Sequence, residues 1–257
     1  MGIRKLAVGY PWSSPFVHTA FADHLPNLER PEGYEVRFFR GAGWCPARRH
    51  IHLCEQALAW GADLICIIGT DQVHPRDMLP RLVSRVENDG CEVITALVPA
   101  RGYVAWQEMK PFQPIAWRWK HSSVPVLRGY SGMATDRDMI EVVRPEDGDL
   151  QRVDFIGSGV LMFQRDHILA LSPPWFSEMV EHKTQQRLSN MDCRFVWRLA
   201  MEAHAKVWVD TTIKVKHLHT FEIDETYQDR FADWMDPGRG DAAICRYKPM
   251  TTAPADA

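Results

Sequence analysis

The sequence predicts an α/β protein in which helices flank a central sheet, and two observations support this. Short apolar runs of strand length alternate with longer segments whose apolar residues recur every three or four positions. Strands that alternate with helices pair in parallel, with the helices as crossover connections. The 257 residues, 46% of them hydrophobic, are also enough to bury a full core.

The alternation is regular through the first hundred residues. The predicted elements are strand Lys5 to Tyr10, helix His18 to Leu28, strand Tyr34 to Phe39, helix Pro46 to Trp60, strand Leu64 to Ile68, helix Arg76 to Asn88 and strand Cys91 to Val98. The second helix is the clearest, because Ala47, Ile51 and Cys54 fall on one face. This half of the chain therefore predicts parallel strands with helical crossovers.

From Arg101 to Gly148 the periodicity is lost, so we expect irregular structure or short antiparallel strands there. The pattern then returns as strand Val153 to Phe163, helix Asn190 to Ala203, strands Lys206 to Asp210 and Ile213 to His217, and a C-terminal helix Glu222 to Trp234. We expect one domain over residues 1–220, with residues 221–257 forming a helix and a flexible tail packed on it.

Composition excludes several classes of protein. Thirty Lys and Arg against 33 Asp and Glu give a net charge of -3, which provides no general attraction to nucleic acid or to an anionic membrane. No segment approaches the roughly 18 apolar residues of a membrane helix. The six cysteines form no CxxC pair, so neither a zinc site nor a disulfide framework is indicated. We expect a soluble, cytoplasmic protein.

Asp71 follows the predicted strand Leu64 to Ile68, at the position where ligands bind in open parallel sheets. The alternative is structural: Asp71 caps the helix predicted to begin at Arg76. Upstream, the segment GAGWCPARRH places Arg48, Arg49 and His50 in the first turn of a helix. Cations there oppose the helix dipole by roughly 0.3 to 1 kcal/mol each, which indicates either a bound anion or side chains that extend into solvent.

Three further features come later in the chain. Gly157 and Gly159 interrupt a strand-like segment, which indicates a bulge or the close approach of a ligand or backbone. Asp192 begins a helix, and its spacing from Ser189 also fits a capping box. The segment KVKHLH ends a strand with two histidines on one side, which can complete a divalent-metal site or lie on the surface.

Three segments in order resemble the GT-A glycosyltransferases, especially the family 2-like group that transfers a sugar from a nucleotide donor. They are ARRHIHLCEQALAWGADLICIIGTDQVHP, VDFIGSGVLMFQRDHILALSPPWF and NMDCRFVWRLAMEAHAKVWVDTTIKVKHLH. The resemblance implies a GT-A, Rossmann-like α/β fold with a mixed central sheet flanked by helices. It also implies that residues 1–220 are the catalytic domain.

The resemblance implies a role for the donor-side residues. In such enzymes a DxD-type motif after a central strand binds the Mn²⁺ or Mg²⁺ that bridges the donor diphosphate. Here Asp71 matches the second Asp and Gly69 stands in place of the first, while His217 matches a late metal-binding histidine, with His219 as an alternate. Two further positions are assigned to the donor diphosphate on the same basis: an arginine of the helix, Arg48 or Arg49, and Pro11 at the end of the first strand.

On the acceptor side, the resemblance implies that Asp192 is the general base, although Met191 stands where a Glu usually precedes it. Gly157 and Gly159 match a glycine-rich segment beside the acceptor, and Trp175 offers a flat apolar face to a sugar ring. The predicted reaction is therefore sugar transfer from a nucleotide-diphosphate donor to an acceptor hydroxyl, metal-assisted and inverting. The acceptor, whether a glycan, a small molecule or a modified nucleic acid, stays open.

Two other functions remain as alternatives. A catalytically silent nucleotide- or sugar-binding module is one, with Gly69 marking a lost metal site. An NAD-dependent oxidoreductase is the other, because GAGWCP follows a strand and opens a helix. Against it, Pro46 occupies the third glycine position of GxGxxG.

Overall fold

The computed structural model describes residues 2–12, 17–99, 116–119, 140–177, 179–180, 187–189 and 191–218. The predicted C-terminal helix Glu222 to Trp234, the tail that follows it and His219 lie outside these ranges. Within them, every helix is too short or too polar to cross a membrane.

Fourteen strands lie within the described ranges: β1 (Arg4–Pro11), β2 (Tyr34–Gly41), β3 (Leu64–Ile68), β4 (Gln72–Val73), β5 (Val93–Leu97), β6 (Ala116–Trp119), β7 (Ile140–Val142), β8 (Leu150–Val153), β9 (Phe155–Ile156), β10 (Val160–Gln164), β11 (Met179–Val180), β12 (Arg187–Ser189), β13 (Val207–Lys214) and β14 (Lys216–His217). The α-helices are α1 (Thr19–His24), α2 (Pro46–Trp60), α3 (Met78–Asn88), α4 (Arg165–Leu169) and α5 (Met191–Met201). Short 3₁₀ turns occupy Leu25–Asn27 and Pro145–Asp147.

Seven strands form the central sheet, in the order β2-β1-β3-β10-β5-β13-β8. β1 is parallel to β2 and β3, and β13 is parallel to β5. β10 runs antiparallel to both β3 and β5, and β8 runs antiparallel to β13. The predicted α/β class, a mixed central sheet flanked by helices, is therefore confirmed, and it is the architecture that the GT-A resemblance implied.

Helices cover both faces of this sheet, which is why β3 is buried along its whole length. Leu64, Cys66 and Ile68 pack into the apolar cluster that holds the buried residues of α1 and α3. Ile65 and Ile67 point to the other face, into the cluster formed with α2 and α5. The alternation of side chains along a strand thus builds two cores from one sheet.

The strand predicted from Val153 to Phe163 is wrong as a single element. The chain instead forms the end of β8, then β9 and β10, and residues 157–159 lie outside any strand. Gly159 is the reason: its carbonyl accepts a hydrogen bond of 2.7 Å from the amide of Gly69 in a neighbouring loop. This bond joins the segment before β10 to the loop that carries Asp71.

The two strands predicted at Lys206 to Asp210 and Ile213 to His217 are also wrong, because β13 runs without a break from Val207 to Lys214. Its pairing with β5 shifts register between Asp210 and Lys214, as in a bulge. Only the final two residues, in β14, leave the central sheet and pair with β4. For residues 101–148 we predicted irregular structure or short antiparallel strands, and the short antiparallel strands β6 and β7 are present there.

Candidate functional site

A cavity of about 460 Å³ opens at the carboxyl ends of β1 and β3. Its lining residues are Pro11, Pro46, Arg49, His50, Gly69, Thr70, Asp71, Gln72, Gly157, Ser158, Gly159, Asp192 and His217. These residues come from distant parts of the chain that meet where ligands bind in open α/β sheets. The fold thus gathers most of the residues that the sequence assigned to a donor or an acceptor site.

The two-stranded ladder of β4 and β14 places His217 beside Asp71. His217 pairs with Gln72 in this ladder, and the amide of Leu218 donates a 2.7 Å hydrogen bond to the carbonyl of Asp71. As a result, His217 Nε2 lies 3.4 Å from Asp71 Oδ2. Backbone pairing therefore holds the two side chains together at the cavity wall.

These two side chains fit a divalent metal ion. His217 Nδ1 lies 2.8 Å from the carbonyl oxygen of Pro99, to which it donates, so in the neutral ring the lone pair of Nε2 faces the Asp71 carboxylate. A nitrogen lone pair and a carboxylate at this separation could hold a cation between them. Among the described residues, no group of three or more His, Cys, Asp or Glu is arranged to hold a metal. With two protein ligands, such a site could take Mn²⁺ or Mg²⁺ only if oxygen atoms of a bound ligand completed the coordination.

Asp71 does not occupy the cap position of the following helix. α3 begins at Met78, and Asp77 is its N-cap residue. The purely structural alternative for Asp71 is therefore not supported.

Arg48 and Arg49 have different surroundings. Arg48 points along the helix surface and forms a 3.0 Å ion pair with Glu55, so it does not line the cavity. Arg49 lines the cavity, and its Nε donates to the carbonyl of Gly43 at 3.0 Å. Among the described residues no carboxylate pairs with the Arg49 guanidinium, whose terminal nitrogens are available to an anion.

Gly41 explains how α2 approaches the end of β2. A Cβ atom at Gly41 would lie 2.4 Å from the carbonyl oxygen of Arg49. Any larger residue would push the first turns of α2 away from the sheet. The close approach of the Gly41 backbone to the Arg49 backbone therefore helps to set the position of Arg49 at the cavity.

Asp192 lies in the first turn of α5, where a negative charge is favourable. Its Oδ1 accepts a 2.8 Å hydrogen bond from the Cys193 amide, and its Oδ2 lies 3.3 Å from Ser158 Oγ. The capping box predicted with Ser189 lies outside the described side chains. Ser158, between the two predicted glycines, therefore links Asp192 to the loop before β10.

The sequence placed His50 beside the two arginines in the first helical turn without assigning it a site role, yet it lines the cavity and is only 4% exposed. Its Nδ1 donates to the Pro46 carbonyl at 2.8 Å, and its buried Nε2 has no hydrogen-bond partner among the described residues. Burial lowers the pKa of His50, while the nearby Asp192 carboxylate opposes the shift. His50 therefore presents a neutral, acceptor-type nitrogen near Asp192.

Gln72 was also missed. It is 2% exposed, and its Oε1 lies 3.2 Å from Nε2 of His74, whose Nδ1 is 2.8 Å from Nε2 of His24. Burial and the neighbouring His24 lower the pKa of His74 to about 3, so the ring is neutral. The only available signal was the alternation of Gln72 and His74 directly after Asp71, which places both on one side of a strand.

Two of the predicted residues lie away from the cavity lining. Arg48 is paired on the surface, as described above. Trp175 is half-buried against the core beneath α2 and α5, and its indole Nε1 donates to the Leu171 carbonyl at 3.2 Å. The adjacent Phe176 is closer to the site, since its ring centroid lies 5.0 Å from that of His50.

No protein-family model matches this chain, and no curated protein sequence matches it either. Solved structures do match. The crystal structure of A197 from STIV has a TM-score of 0.49 at 14% sequence identity, over 84% of this chain and 86% of that one. S. aureus TarS 1–349 in complex with UDP-GlcNAc has a TM-score of 0.43 at 10% identity, over 86% of this chain and 60% of that one. At these values, neither similarity assigns an activity.

Proposed function

We propose that the protein is a GT-A-type glycosyltransferase that moves a sugar from a nucleoside-diphosphate donor to an acceptor hydroxyl, with inversion. The observation that supports the proposal is that four side chains of suitable chemistry lie around one cavity. Arg49, the Asp71–His217 pair and Asp192 surround the same cavity at the carboxyl ends of β1 and β3. A cation, a potential metal pair and a separate carboxylate are the groups that this reaction requires.

At the donor end, Arg49 binds a phosphate oxygen through its terminal nitrogens, which have no carboxylate partner among the described residues. Asp71 and His217 would hold Mn²⁺ or Mg²⁺, which when bound neutralises charge on the departing diphosphate. Pro11 and Thr70 complete this wall without adding charge. The donor site therefore combines one fixed cation with one pair of metal ligands.

At the acceptor end, Asp192 takes the proton of the attacking hydroxyl. The acceptor oxygen forms a bond to the anomeric carbon while the bond from that carbon to the diphosphate oxygen breaks, and the proton ends on Asp192. Attack from the face opposite the leaving group inverts the configuration. Ser158 and the Cys193 amide hold the carboxylate in place for this role.

A thermal-shift screen tests the proposal. UDP, GDP, CDP, dTDP and NAD are each added with and without Mn²⁺, because a ligand that binds only the folded state raises the unfolding temperature. The expected result is a shift with one nucleoside diphosphate that depends on Mn²⁺. A shift with NAD alone would identify an oxidoreductase, and nucleotide binding that ignores Mn²⁺ and is followed by no donor hydrolysis would identify a silent binding module.

A further inference from the structure

The imidazole of His50 has one nitrogen that is hydrogen-bonded and one that is not. Nδ1 lies 2.8 Å from the carbonyl oxygen of Pro46, and because a carbonyl oxygen only accepts, Nδ1 carries the proton of the neutral ring. Nε2 is then a lone pair. This atom is buried and has no hydrogen-bond partner among the described residues. A buried acceptor without a donor is unfavourable, so a donor is expected in some state of the site.

Packing holds the His50 ring beside the start of α5. The ring centroid of His50 lies 5.0 Å from that of Phe176, which in turn stacks on Phe195 of α5 at 4.1 Å. Phe195 follows Asp192 by about one helical turn, and Asp192 and His50 line the same cavity. The starts of α2 and α5 therefore meet at the cavity wall.

The charges around His50 keep its ring neutral. Burial is the main cause that lowers the pKa of His50, and the guanidinium of the neighbouring Arg49 also lowers it. The hydrogen bond to Pro46 and the Asp192 carboxylate across the cavity wall oppose this shift. The ring of Phe176, which packs against His50, carries no charge. Nε2 therefore remains an acceptor while Asp192 is ionised.

Asp192 and His50 cannot bond to each other in this state, because a carboxylate and a lone pair both accept. The donors to Asp192 are the Cys193 amide, at 2.8 Å from Oδ1, and Ser158, whose Oγ lies 3.3 Å from Oδ2. Once Asp192 has taken a proton, its O–H group needs an acceptor. The Cys193 amide only donates, and a serine hydroxyl is much less basic than an imidazole nitrogen. His50 Nε2 is therefore the suitable acceptor on this wall.

We propose that His50 is a positioning residue for the base, and that the proton which Asp192 takes from the acceptor hydroxyl is held in a hydrogen bond to His50 Nε2. The O–H bond of the acceptor breaks and an O–H bond forms on Asp192, while the acceptor oxygen bonds to the anomeric carbon. The proposal rests on the proposed function, in which Asp192 is the base. Because the hydrogen bond forms only as the proton moves, it should affect kcat rather than binding of the donor.

Nitrogen NMR of protein with isotope-labelled histidine tests the pairing without any nucleotide. Asp192→Asn replaces the carboxylate by a carboxamide whose N–H groups can donate to Nε2, as the protonated acid would. Glu55→Gln is the matched control, since it makes the same change on the surface of α2, where Glu55 pairs with Arg48. His50→Phe identifies the His50 signals among those of the 11 histidines.

At about pH 8, where ordinary histidines are neutral, we expect wild-type His50 to carry its proton on Nδ1 and a lone pair on Nε2. Asp192→Asn should move the Nε2 signal upfield, as happens when a ring lone pair accepts a hydrogen bond, whereas Glu55→Gln should leave it unchanged. An Nε2 signal that is the same in wild type and Asp192→Asn would overturn the proposal. A wild-type ring protonated at Nε2 would also overturn it, and that measurement needs no variant at the site.

Turnover of the nucleotide sugar that corresponds to the selected nucleotide tests the role in catalysis. His50→Phe keeps a ring against Phe176 but has no acceptor, whereas His50→Gln keeps an acceptor oxygen. We expect kcat to fall about 10-fold in His50→Phe with an unchanged KM for the donor, and to recover largely in His50→Gln. Unchanged kcat in His50→Phe, equal losses in both variants or a loss confined to KM would contradict the role.

Failure of wild type to bind any nucleoside diphosphate would instead reject the proposed function. The NMR comparison uses no nucleotide, so it reports on the Asp192–His50 pair whatever the outcome of the nucleotide screen. The two failures are therefore distinguishable.

Discussion

Arg48 and Arg49 are neighbours in sequence, and the sequence could not decide between them. The structure separates them, because Arg48 pairs with Glu55 on the helix surface while Arg49 lines the cavity. The sequence shows that two arginines lie in the first turn of a helix. It does not show which of them forms a hydrogen bond with the glycine-containing loop before that helix. The hydrogen bond from Arg49 to Gly43 decides the matter.

Arg49→Ala should weaken nucleoside diphosphate binding by about 10- to 100-fold, since a hydrogen bond to a charged group contributes about 1.5 to 3 kcal/mol. Arg48→Ala is the matched control and should bind normally, because an exposed ion pair contributes little. Titration calorimetry with the nucleotide selected by the screen measures both. Equal losses in the two variants would show that general positive charge, rather than the Arg49 contact, binds the ligand.

His74 gives the fold a specific dependence on pH. Its pKa is about 3 in the folded protein because of burial and the nearby His24, against an ordinary value of 6.5. Below about pH 6.5 the unfolded chain therefore binds a proton that the folded chain does not. The contribution of the neutral His74 to the free energy of unfolding is therefore fully present above about pH 6.5. It decreases as the pH is lowered further, by up to about 1.4 kcal/mol per pH unit.

The His74→Gln variant should lose less stability between pH 7 and pH 5 than wild type, because it has no imidazole to protonate. Chemical denaturation at several pH values measures the slope for each protein. Some slope should remain, since burial also lowers the pKa of His50. Parallel curves for the two proteins would contradict the assignment of the effect to His74.

At the scale of elements, a buried carboxylate of β13 helps to hold α3 against this strand, beside a hydrogen bond from Arg81 to Thr212. Asp210 is 1% exposed and accepts a 2.8 Å hydrogen bond from Arg85 Nε. Burial raises the pKa of Asp210, but hydrogen bonds from Thr212 and Arg85 outweigh it, so the net shift is downward. The folded protein therefore favours the charged form of this carboxyl group.

Asp210→Ala should lower the free energy of unfolding by about 1 to 3 kcal/mol, because the hydrogen bonds of Arg85 and Thr212 lose their acceptor. Asp89→Ala removes the second, more exposed carboxylate that pairs with the same arginine, at 3.0 Å, and should cost less than about 1 kcal/mol. Urea denaturation of both variants tests this. A larger loss in Asp89→Ala would contradict the role assigned to Asp210.

Elements with a strong local signal were predictable. The bounds of α2 and β3 match the prediction because a periodic apolar face and a short, fully buried apolar run are properties of the local sequence. β4 and β14 could not be predicted, since two-residue strands have no periodicity and pair across more than half of the chain. The break around Gly157 to Gly159 involves contacts with Gln72 and Gly69, which lie about 90 residues earlier in the sequence.

At the scale of the whole molecule, the site exists because the sheet brings strand ends together. Asp71, Asp192 and His217 could be selected from the sequence by their positions after strands or at a helix start. Gln72 and His50 could not be selected in this way. His50 stands out because its buried Nε2 remains unpartnered once the chain has folded, and Gln72 because folding brings it to the cavity wall beside His74. Sequence patterns predict which strand ends lie at one edge of the sheet. Which buried polar groups lack a hydrogen-bond partner can be seen only in the folded structure.

The most direct test of the central claim is the Mn²⁺ dependence of nucleoside diphosphate affinity in wild type, Asp71→Asn and Asp77→Asn, measured by titration calorimetry. Asp71→Asn should bind at least about 10-fold more weakly and lose its response to Mn²⁺. Asp77→Asn, which alters the helix-cap position nearby, should retain wild-type affinity and the full response. An Asp71→Asn variant that binds with wild-type affinity and the same Mn²⁺ dependence would contradict the assignment of this cavity as a metal–diphosphate site.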